Sequence, residues 1–108
     1  MTYVQMQFAI DSPETADAIV EQLLTQGLVA CGQRIGPMVS RYWWDGSLER
    51  AQEWLVLLKT RQELTARVTE VVVRLHPYET PEVITLAIAG GSPGYLAWMG
   101  DVTTSGGS

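Results

Sequence analysis

The sequence predicts one α+β domain with a split βαβ, ferredoxin-like sandwich, an extended β-hairpin and a short C-terminal helix. The first observation is the order of predicted elements, which is strand, helix, strand, hairpin, strand, helix, strand. The second is Asp45-Gly46, a strong signal for a tight turn between two antiparallel strands. Two strand–helix–strand crossovers around one hairpin predict this fold, with both helices on one face of the sheet.

The first strand and the first helix are marked by a change in hydrophobic period. From Val4 to Ile10 apolar residues alternate with others, as in a strand with one buried face. Ser12 then predicts an N-cap, Pro13 suits the first helical turn, and Gly27 is expected to end the helix in a left-handed conformation. Between them, apolar residues recur at helical spacing: Ala16, Ile19, Val20, Leu23 and Leu24.

The two middle strands are predicted to form a long arm. The first runs from Leu28 to Ile35, is broken or bulged at Gly36-Pro37, and continues as extended chain from Val39 to Trp44. The return strand runs from Leu48 to Lys59. Its centre, residues 54–58, is apolar on both faces, so both faces are expected to be covered.

The second helix is predicted to begin at Thr60-Arg61-Gln62-Glu63, which matches a capping box. One helical stripe follows it: Leu64, Val68, Val71, Val72 and Leu75. His76-Pro77 stops this helix because the residue before proline avoids helical angles. A last strand from Val83 to Ala89 and a short helix from Ser92 through Trp98 complete the prediction.

Composition limits the classes of protein. The chain has 108 residues, 46% of them hydrophobic and 18% charged, which predicts a single globular domain over 1–102 and a flexible tail of Ser, Thr and Gly over 103–108. A net charge of −5 opposes nucleic-acid binding. No apolar stretch reaches about 18 residues, so no membrane span is predicted. One cysteine excludes an internal disulfide, and with no signal peptide predicted, the cytoplasm is the expected compartment.

The second face of the sheet has no covering element in this fold prediction. The return strand is nevertheless apolar on both sides, and the hairpin carries Tyr42, Trp43 and Trp44. Apolar surface of this extent is normally buried against something. Self-association into a closed symmetric oligomer is the simplest expectation.

Several motifs occur in a fixed order between residues 3 and 99. They are Ala30-Cys31, Tyr42-Trp43-Trp44-Asp45-Gly46, Glu53 with Lys59-Thr60, His76-Pro77-Tyr78-Glu79-Thr80-Pro81-Glu82, and Tyr95-Leu96-Ala97-Trp98. Together they resemble the CutA divalent-cation tolerance family. The resemblance implies a ferredoxin-like subunit in a tight homotrimer and an association with tolerance to copper and other divalent metals. Phe8 departs from it, since some members carry a copper-associated cysteine there.

Histidine, glutamate and cysteine side chains are the candidate metal ligands. His76 is the only histidine, and imidazole suits Cu(II) or Zn(II), although a histidine at a helix C-terminus also suits the carbonyl end of the helix. Glu79, like Glu82, could supply oxygen, or it could be a solvated loop carboxylate. Cys31 is by default a small buried hydrophobe. One histidine and one cysteine cannot build a closed four-ligand zinc site, so copper or another divalent cation would need carboxylates, water or a second subunit.

Four further side chains are candidates for a small-ligand site in a cleft between subunits. Tyr78 and Trp98 would supply aromatic surface, and Lys59 and Glu53 would orient a small ion. The alternative interpretation places the aromatic residues in the core or a subunit interface, and leaves Lys59 in solvent or paired with a carboxylate.

The preferred function is a non-enzymatic homotrimer that binds a divalent metal ion or a small ligand at clefts between subunits. One alternative is a rigid scaffold that binds another protein. Another is an acylphosphatase-like hydrolase, which needs glycine amides and an arginine after the first strand. Here that turn reads Ala9-Ile10-Asp11-Ser12-Pro13, which is acidic and lacks both. RNA recognition is rejected because the aromatic strand motif and basic surface are missing.

Overall fold

A computed structural model describes residues 1–103 of the chain. Its elements, in order, are β1 (Tyr3–Ile10), α1 (Pro13–Thr25), β2 (Cys31–Trp44), β3 (Ser47–Arg61), a 3-10 turn (Gln62–Leu64), α2 (Thr65–Leu75), β4 (Val83–Ala87) and α3 (Pro93–Val102). Of the predicted tail, Thr103 is buried and the rest, 104–108, lies outside the described residues. Within the described part, no helix has the length and apolar character needed to cross a membrane.

The four strands form one sheet in the order β2-β3-β1-β4. All three pairings are antiparallel, and β3 is the longest strand, paired on both sides. Because β1 and β3 lie side by side, each helix connects two strands that are not neighbours. The predicted split βαβ, ferredoxin-like fold is therefore confirmed.

The first helix begins and ends where the sequence predicts. The Ser12 hydroxyl accepts a 3.2 Å hydrogen bond from the backbone N–H of Thr15, which satisfies one of the free amides of the first turn. Pro13 occupies the first turn, and Gly27 follows the helix with a positive φ of 69°.

The hydrophobic core lies between the two long helices and one face of the sheet. Alternate residues of β1 point into it, and the same alternation continues across β3. The fully buried side chains on this face include Met6, Phe8, Ile10, Val56 and Leu58 from the sheet, and Ile19, Leu23, Leu64, Val68 and Val72 from the helical side. The helical stripe predicted for residues 64–75 is confirmed.

The capping box predicted at Thr60 and Glu63 is wrong. Thr60 belongs to β3, where it pairs with Val4, and its buried hydroxyl donates a 2.6 Å hydrogen bond to the carbonyl of Leu28. The 3-10 turn that follows has no side-chain cap, and neither does α2. Strand pairing continues to Tyr3 and Arg61, so the backbone needed for a cap at Thr60 is already in the sheet.

The other boundaries differ by a few residues. β2 is one strand with an irregularity between Ile35 and Met38, where the sequence Gly36-Pro37 predicted a break or bulge. β4 ends at Ala87, two residues earlier than predicted, and α3 continues past Trp98 to Val102. α2 ends at Leu75 and His76 is extended, as the following proline predicts.

The second face of the sheet is partly covered, which corrects the expectation that nothing in the chain lies over it. The α3 end of the chain packs on the rows of Cys31 and Arg61: Tyr95 Oη lies 3.5 Å from Cys31 Sγ, and Arg61 Nε donates to Thr103 Oγ1 at 2.8 Å. Beyond α3 the face stays open. Ile35, Ile84 and Leu86 are exposed there, so this part remains an apolar surface without a partner in the described chain.

Candidate functional site

A cleft of about 700 Å³ lies on the second face of the sheet, where the hairpin arm meets the segment after α2. Its lining includes Tyr42 and Trp44 from β2, Glu53 from β3, and the loop segment 78–82. The arm extends beyond the end of β1, since Ile10 is the last β1 residue and pairs with Trp54. The cleft therefore forms because the hairpin arm extends past the end of β1 and because the loop between Pro77 and Pro81 lies against this arm.

Glu53 and Tyr78 form a direct polar contact in this cleft. The Tyr78 hydroxyl donates a 2.8 Å hydrogen bond to Glu53 Oε2, and Glu53 is only 5% exposed. Burial raises the pKa of Tyr78 far above its usual range, and the hydrogen bond and negative charge of Glu53 raise it further. The phenol therefore stays protonated and acts as a donor to the carboxylate.

His76 lies buried beneath this pair, with both ring nitrogens in hydrogen bonds. Nδ1 accepts a 3.1 Å bond from the backbone N–H of Tyr78, so the ring proton is assigned to Nε2, which donates at 2.7 Å to the carbonyl of Ala9. The ring also meets Phe8 and Tyr78 edge-on, with centroid distances of 6.0 and 4.5 Å. No lone pair is left for a cation, which argues against His76 as a metal ligand.

The remaining predicted residues lie at the other end of the same face. Cys31 Sγ is in hydrogen-bond contact with the Tyr95 hydroxyl, and this bond is the largest cause that raises the pKa of Tyr95. The rings of Tyr95 and Trp98 lie 5.4 Å apart. Lys59 pairs with Cys31 in the ladder and donates through Nζ to Gln33 Oε1. Cys31, Lys59 and Trp98 thus form a second group around α3.

The two groups are well separated within one chain. Lys59 and Cys31 share the row of Gln5, while His76 binds Ala9, four residues further along β1. At about 3.3 Å per residue, these two rows lie roughly 13 Å apart along the strand direction. The predicted ligand set of His76, Glu79 and Cys31 is therefore not brought together. Among residues 1–103 no three His, Cys, Asp or Glu side chains are placed to hold a metal ion.

The cleft itself carries negative charge. Glu53, Glu79 and Glu82 line it, and Arg41 is the one cation among the described lining residues. Glu82 also accepts a weak 3.5 Å hydrogen bond from Gln7 on the sheet. Carboxylates beside aromatic rings suit a cation or a small polar ligand, and the oxygen atoms suit a divalent ion only with further ligands from water or a neighbouring copy.

The predicted site residues Glu53, Tyr78 and Glu79 do line the cleft, but the sequence does not reveal the groups that anchor this part of the site. The carbonyl of Ala9, which holds His76, and the Gln33 amide oxygen, which accepts from Lys59, were not anticipated. Every residue has a carbonyl, so nothing in the sequence marks Ala9. Gln33 lies in the predicted β2 strand, but its contact with Lys59 depends on the register between β2 and β3, which the sequence does not show.

Fold and cleft together define a class: a small ferredoxin-like α+β protein with an acidic, aromatic-lined cleft and an apolar sheet face open to solvent. Residues 4–102 match the family model described as CutA1 divalent ion tolerance protein. The chain belongs to the CutA1 divalent ion tolerance family, and the resemblance seen in its motifs is confirmed.

Relatives and solved structures agree with this assignment. The divalent-cation tolerance protein CutA of Thermus thermophilus is 36% identical over 94 residues, which cover 87% of this chain and 91% of that protein. The CutA homolog of Xenopus laevis is 42% identical over 87 residues, or 81% of this chain and 58% of the relative. The chain thus spans little more than half the length of that relative, and half of mouse CutA. The crystal structure of CutA1 from Oryza sativa superposes with a TM-score of 0.93 at 31% identity, covering 96% of this chain and 95% of that one.

Proposed function

We propose that this protein is a non-enzymatic homotrimer that acts in divalent metal ion tolerance and binds a metal ion, copper first, or a small ligand at clefts between subunits. The family supports the link to divalent cations. One observation carries the rest: the acidic cleft opens on the same sheet face that leaves Ile35, Ile84 and Leu86 exposed. Copies of the chain seated on that face would bury the apolar surface and wall the cleft.

Ligands for a cation would come from more than one source. The side chains of Glu79 and Glu82 are exposed, and Glu53 presents a carboxylate already bound by Tyr78. Among the described residues these oxygens do not form a complete site. A neighbouring copy on the open face would add its own donors, and the group around Lys59 and Cys31 lies on this same face. Trimer formation and ligand binding are thus two aspects of one proposal.

The turn after β1 supports a non-enzymatic role over acyl phosphate hydrolysis. Ser12 is committed to capping α1, and Pro13 follows it, which removes one backbone donor from the turn. A phosphate cradle needs several free amides and a cation at this point. Hydrolysis of an acyl phosphate that depends on Lys59 or His76 would contradict the proposal.

Native mass spectrometry at dilute concentration, with and without Cu(II), tests the assembly and the bound metal count together. A trimer that gains Cu(II) is expected, and a monomer in dilute buffer would overturn the proposal. Isothermal titration with Cu(II) and Zn(II) then compares the native protein with Glu53→Gln and Glu79→Gln. Glu70→Gln, on α2 and outside the cleft, is the matched control. Weaker binding only in the cleft variants is expected, and equal affinity in all four proteins would remove the cleft as the site.

The compartment belongs to the same proposal. We place the protein in the cytoplasm, which fits a chain whose single cysteine is a free thiol. Relatives vary: the Oryza sativa protein is named chloroplastic, and the structure from Archaeoglobus fulgidus is described as periplasmic. Fractionation of the source cells with an antibody against the protein tests this, and recovery from a membrane-enclosed compartment would overturn it.

A further inference from the structure

We propose that His76 is a positioning residue of the cleft: its neutral ring, protonated on Nε2, ties the Tyr78 amide to the Ala9 carbonyl and thereby holds the Tyr78 hydroxyl on Glu53. The inference deepens the proposed function, on which it rests for the meaning of the cleft. It assigns His76 a role through Tyr78 and not through contact with a ligand.

The hydrogen bonds determine the protonation state that this role requires. A backbone N–H can only donate, so Nδ1 of His76 must be an acceptor where it meets Tyr78 at 3.1 Å. The proton then lies on Nε2, aimed at the Ala9 carbonyl at 2.7 Å. In a doubly protonated ring the Nδ1–H group would face the backbone N–H of Tyr78, and two donors cannot form a hydrogen bond with each other. Only the neutral form makes both contacts.

These contacts attach the segment that lines the cleft to two neighbouring strands. Ala9 lies in β1 and pairs with Leu55, two residues from Glu53 in β3. His76 anchors the segment to β1 through Ala9, and Tyr78 anchors it to β3 through Glu53. The ring of His76 packs edge-on against Tyr78 at 4.5 Å, which sets the direction of the phenol. Without the His76 clamp, Tyr78 would keep its partner only through its own side chain.

Two substitutions of His76 test the roles of its two ring nitrogens separately, because each keeps one hydrogen bond and removes the other. In His76→Asn the amide oxygen lies near the position of Nδ1 and can still accept from Tyr78 N–H, but the side chain is too short for Ala9. In His76→Gln the amide nitrogen can still donate to Ala9, but the acceptor for Tyr78 is gone. A residue that merely fills space would show no such division.

The test is amide hydrogen exchange at Tyr78, measured by NMR in the native protein and both variants. Slow exchange is expected in the native protein and in His76→Asn, and loss of protection in His76→Gln. Equal protection in both variants, or equal loss, would overturn the proposal. A double-mutant cycle of Tyr78→Phe with Glu53→Met, read from unfolding, is expected to show coupling in the native background and weaker coupling in both His76→Asn and His76→Gln, because each variant breaks one of the two contacts of the clamp.

The ring tautomer is measured by NMR on the native chain and so decides the matter even where a variant does not fold. A proton on Nε2 at neutral pH supports the proposal, and a proton on Nδ1 overturns it. None of these measurements needs a ligand. Absence of metal binding would therefore count against the proposed function while leaving the clamp intact. A proton on Nδ1 in a protein that does bind metal would overturn the clamp and leave the proposed function standing.

Discussion

The hydroxyl of Tyr78 donates a 2.8 Å hydrogen bond to the carboxylate of Glu53, a residue 25 positions earlier in the chain. The bond joins the central strand β3 to the segment that follows α2. It places a buried carboxylate at the cleft with a neutral donor as its partner, so its cost of burial is offset by one charge-assisted hydrogen bond.

Tyr78→Phe is expected to change how stability depends on alkaline pH. The pKa of Tyr78 is raised in the folded protein, mainly by burial and then by Glu53, above the ordinary value of about 10 in the unfolded chain. The native state therefore favours the protonated phenol. The stability that this provides is complete below about pH 10 and is lost as pH rises toward the folded-state pKa.

Urea unfolding of the native protein and Tyr78→Phe, at neutral pH and at pH values above about 10, measures this difference. The free energy of unfolding is expected to fall more steeply with pH in the native protein than in the variant. Tyr3→Phe is the control, because Tyr3 lies at the start of β1, paired with Arg61 and away from Glu53. Parallel pH profiles for native and Tyr78→Phe proteins would contradict the prediction.

Ile35→Lys is expected to weaken self-association. Ile35 is 55% exposed on the open sheet face, and a lysine there would place a charge in the surface that copies of the chain are proposed to bury. Val73→Lys is the matched control, since Val73 is 47% exposed but lies on α2. Light scattering after size exclusion is expected to show dissociation only for Ile35→Lys. Equal masses for the two variants would place the interface elsewhere.

Thr60→Val is expected to destabilise the protein by about 1–3 kcal/mol. The substitution keeps the shape of the side chain but removes the buried donor to the Leu28 carbonyl, which then has lost its side-chain partner. Thr25→Val is the control, because its hydroxyl bonds Glu21 on the exposed surface of α1 and its loss should cost under about 0.5 kcal/mol. Denaturant unfolding measures both, and a small effect at Thr60 would count against this bond.

Gly32→Ala is expected to destabilise the fold by about 1–3 kcal/mol through overpacking. A Cβ at this position would lie 2.5 Å from Cγ1 of Val20, a branched side chain with little freedom to move, and 3.3 Å from Leu58. At Gly90 a Cβ would meet nothing within 4 Å, so Gly90→Ala serves as control. Thermal unfolding is expected to separate the two variants, and a Gly32→Ala protein as stable as the control would show that α1 can shift away from β2.

The elements were predictable because they depend on local patterns. The alternation from Val4 to Ile10, the Ser12 cap and the Pro77 stop each act within a few residues, and each is found where predicted. The capping box failed because Thr60 had two uses for its hydroxyl, a local cap or the Leu28 carbonyl. The β1–β3 ladder decided between them, and the ladder joins residues almost sixty positions apart.

The candidate site was predictable as a set of residue types but not as an arrangement. Glu53, Tyr78 and Glu79 do meet at one cleft, while Cys31 lies in the row of Lys59, six residues or roughly 20 Å along β3 from Glu53. The contacts of His76 differ most from the prediction. A histidine after a helix has the chemistry of a ligand, and only the positions of Ala9 and Tyr78 show that both nitrogens are already used.

The sequence by itself determined the helices, the strands, the hairpin turn and the family, since hydrophobic period, caps, prolines and spaced motifs are properties of neighbouring residues. The tertiary structure alone decided that α3 covers one end of the second face, that Thr60 serves the sheet, and that His76 supports Tyr78. The physical reason is that a side chain with several possible hydrogen-bond partners takes the one that folding brings within about 3 Å, and strand register sets that choice.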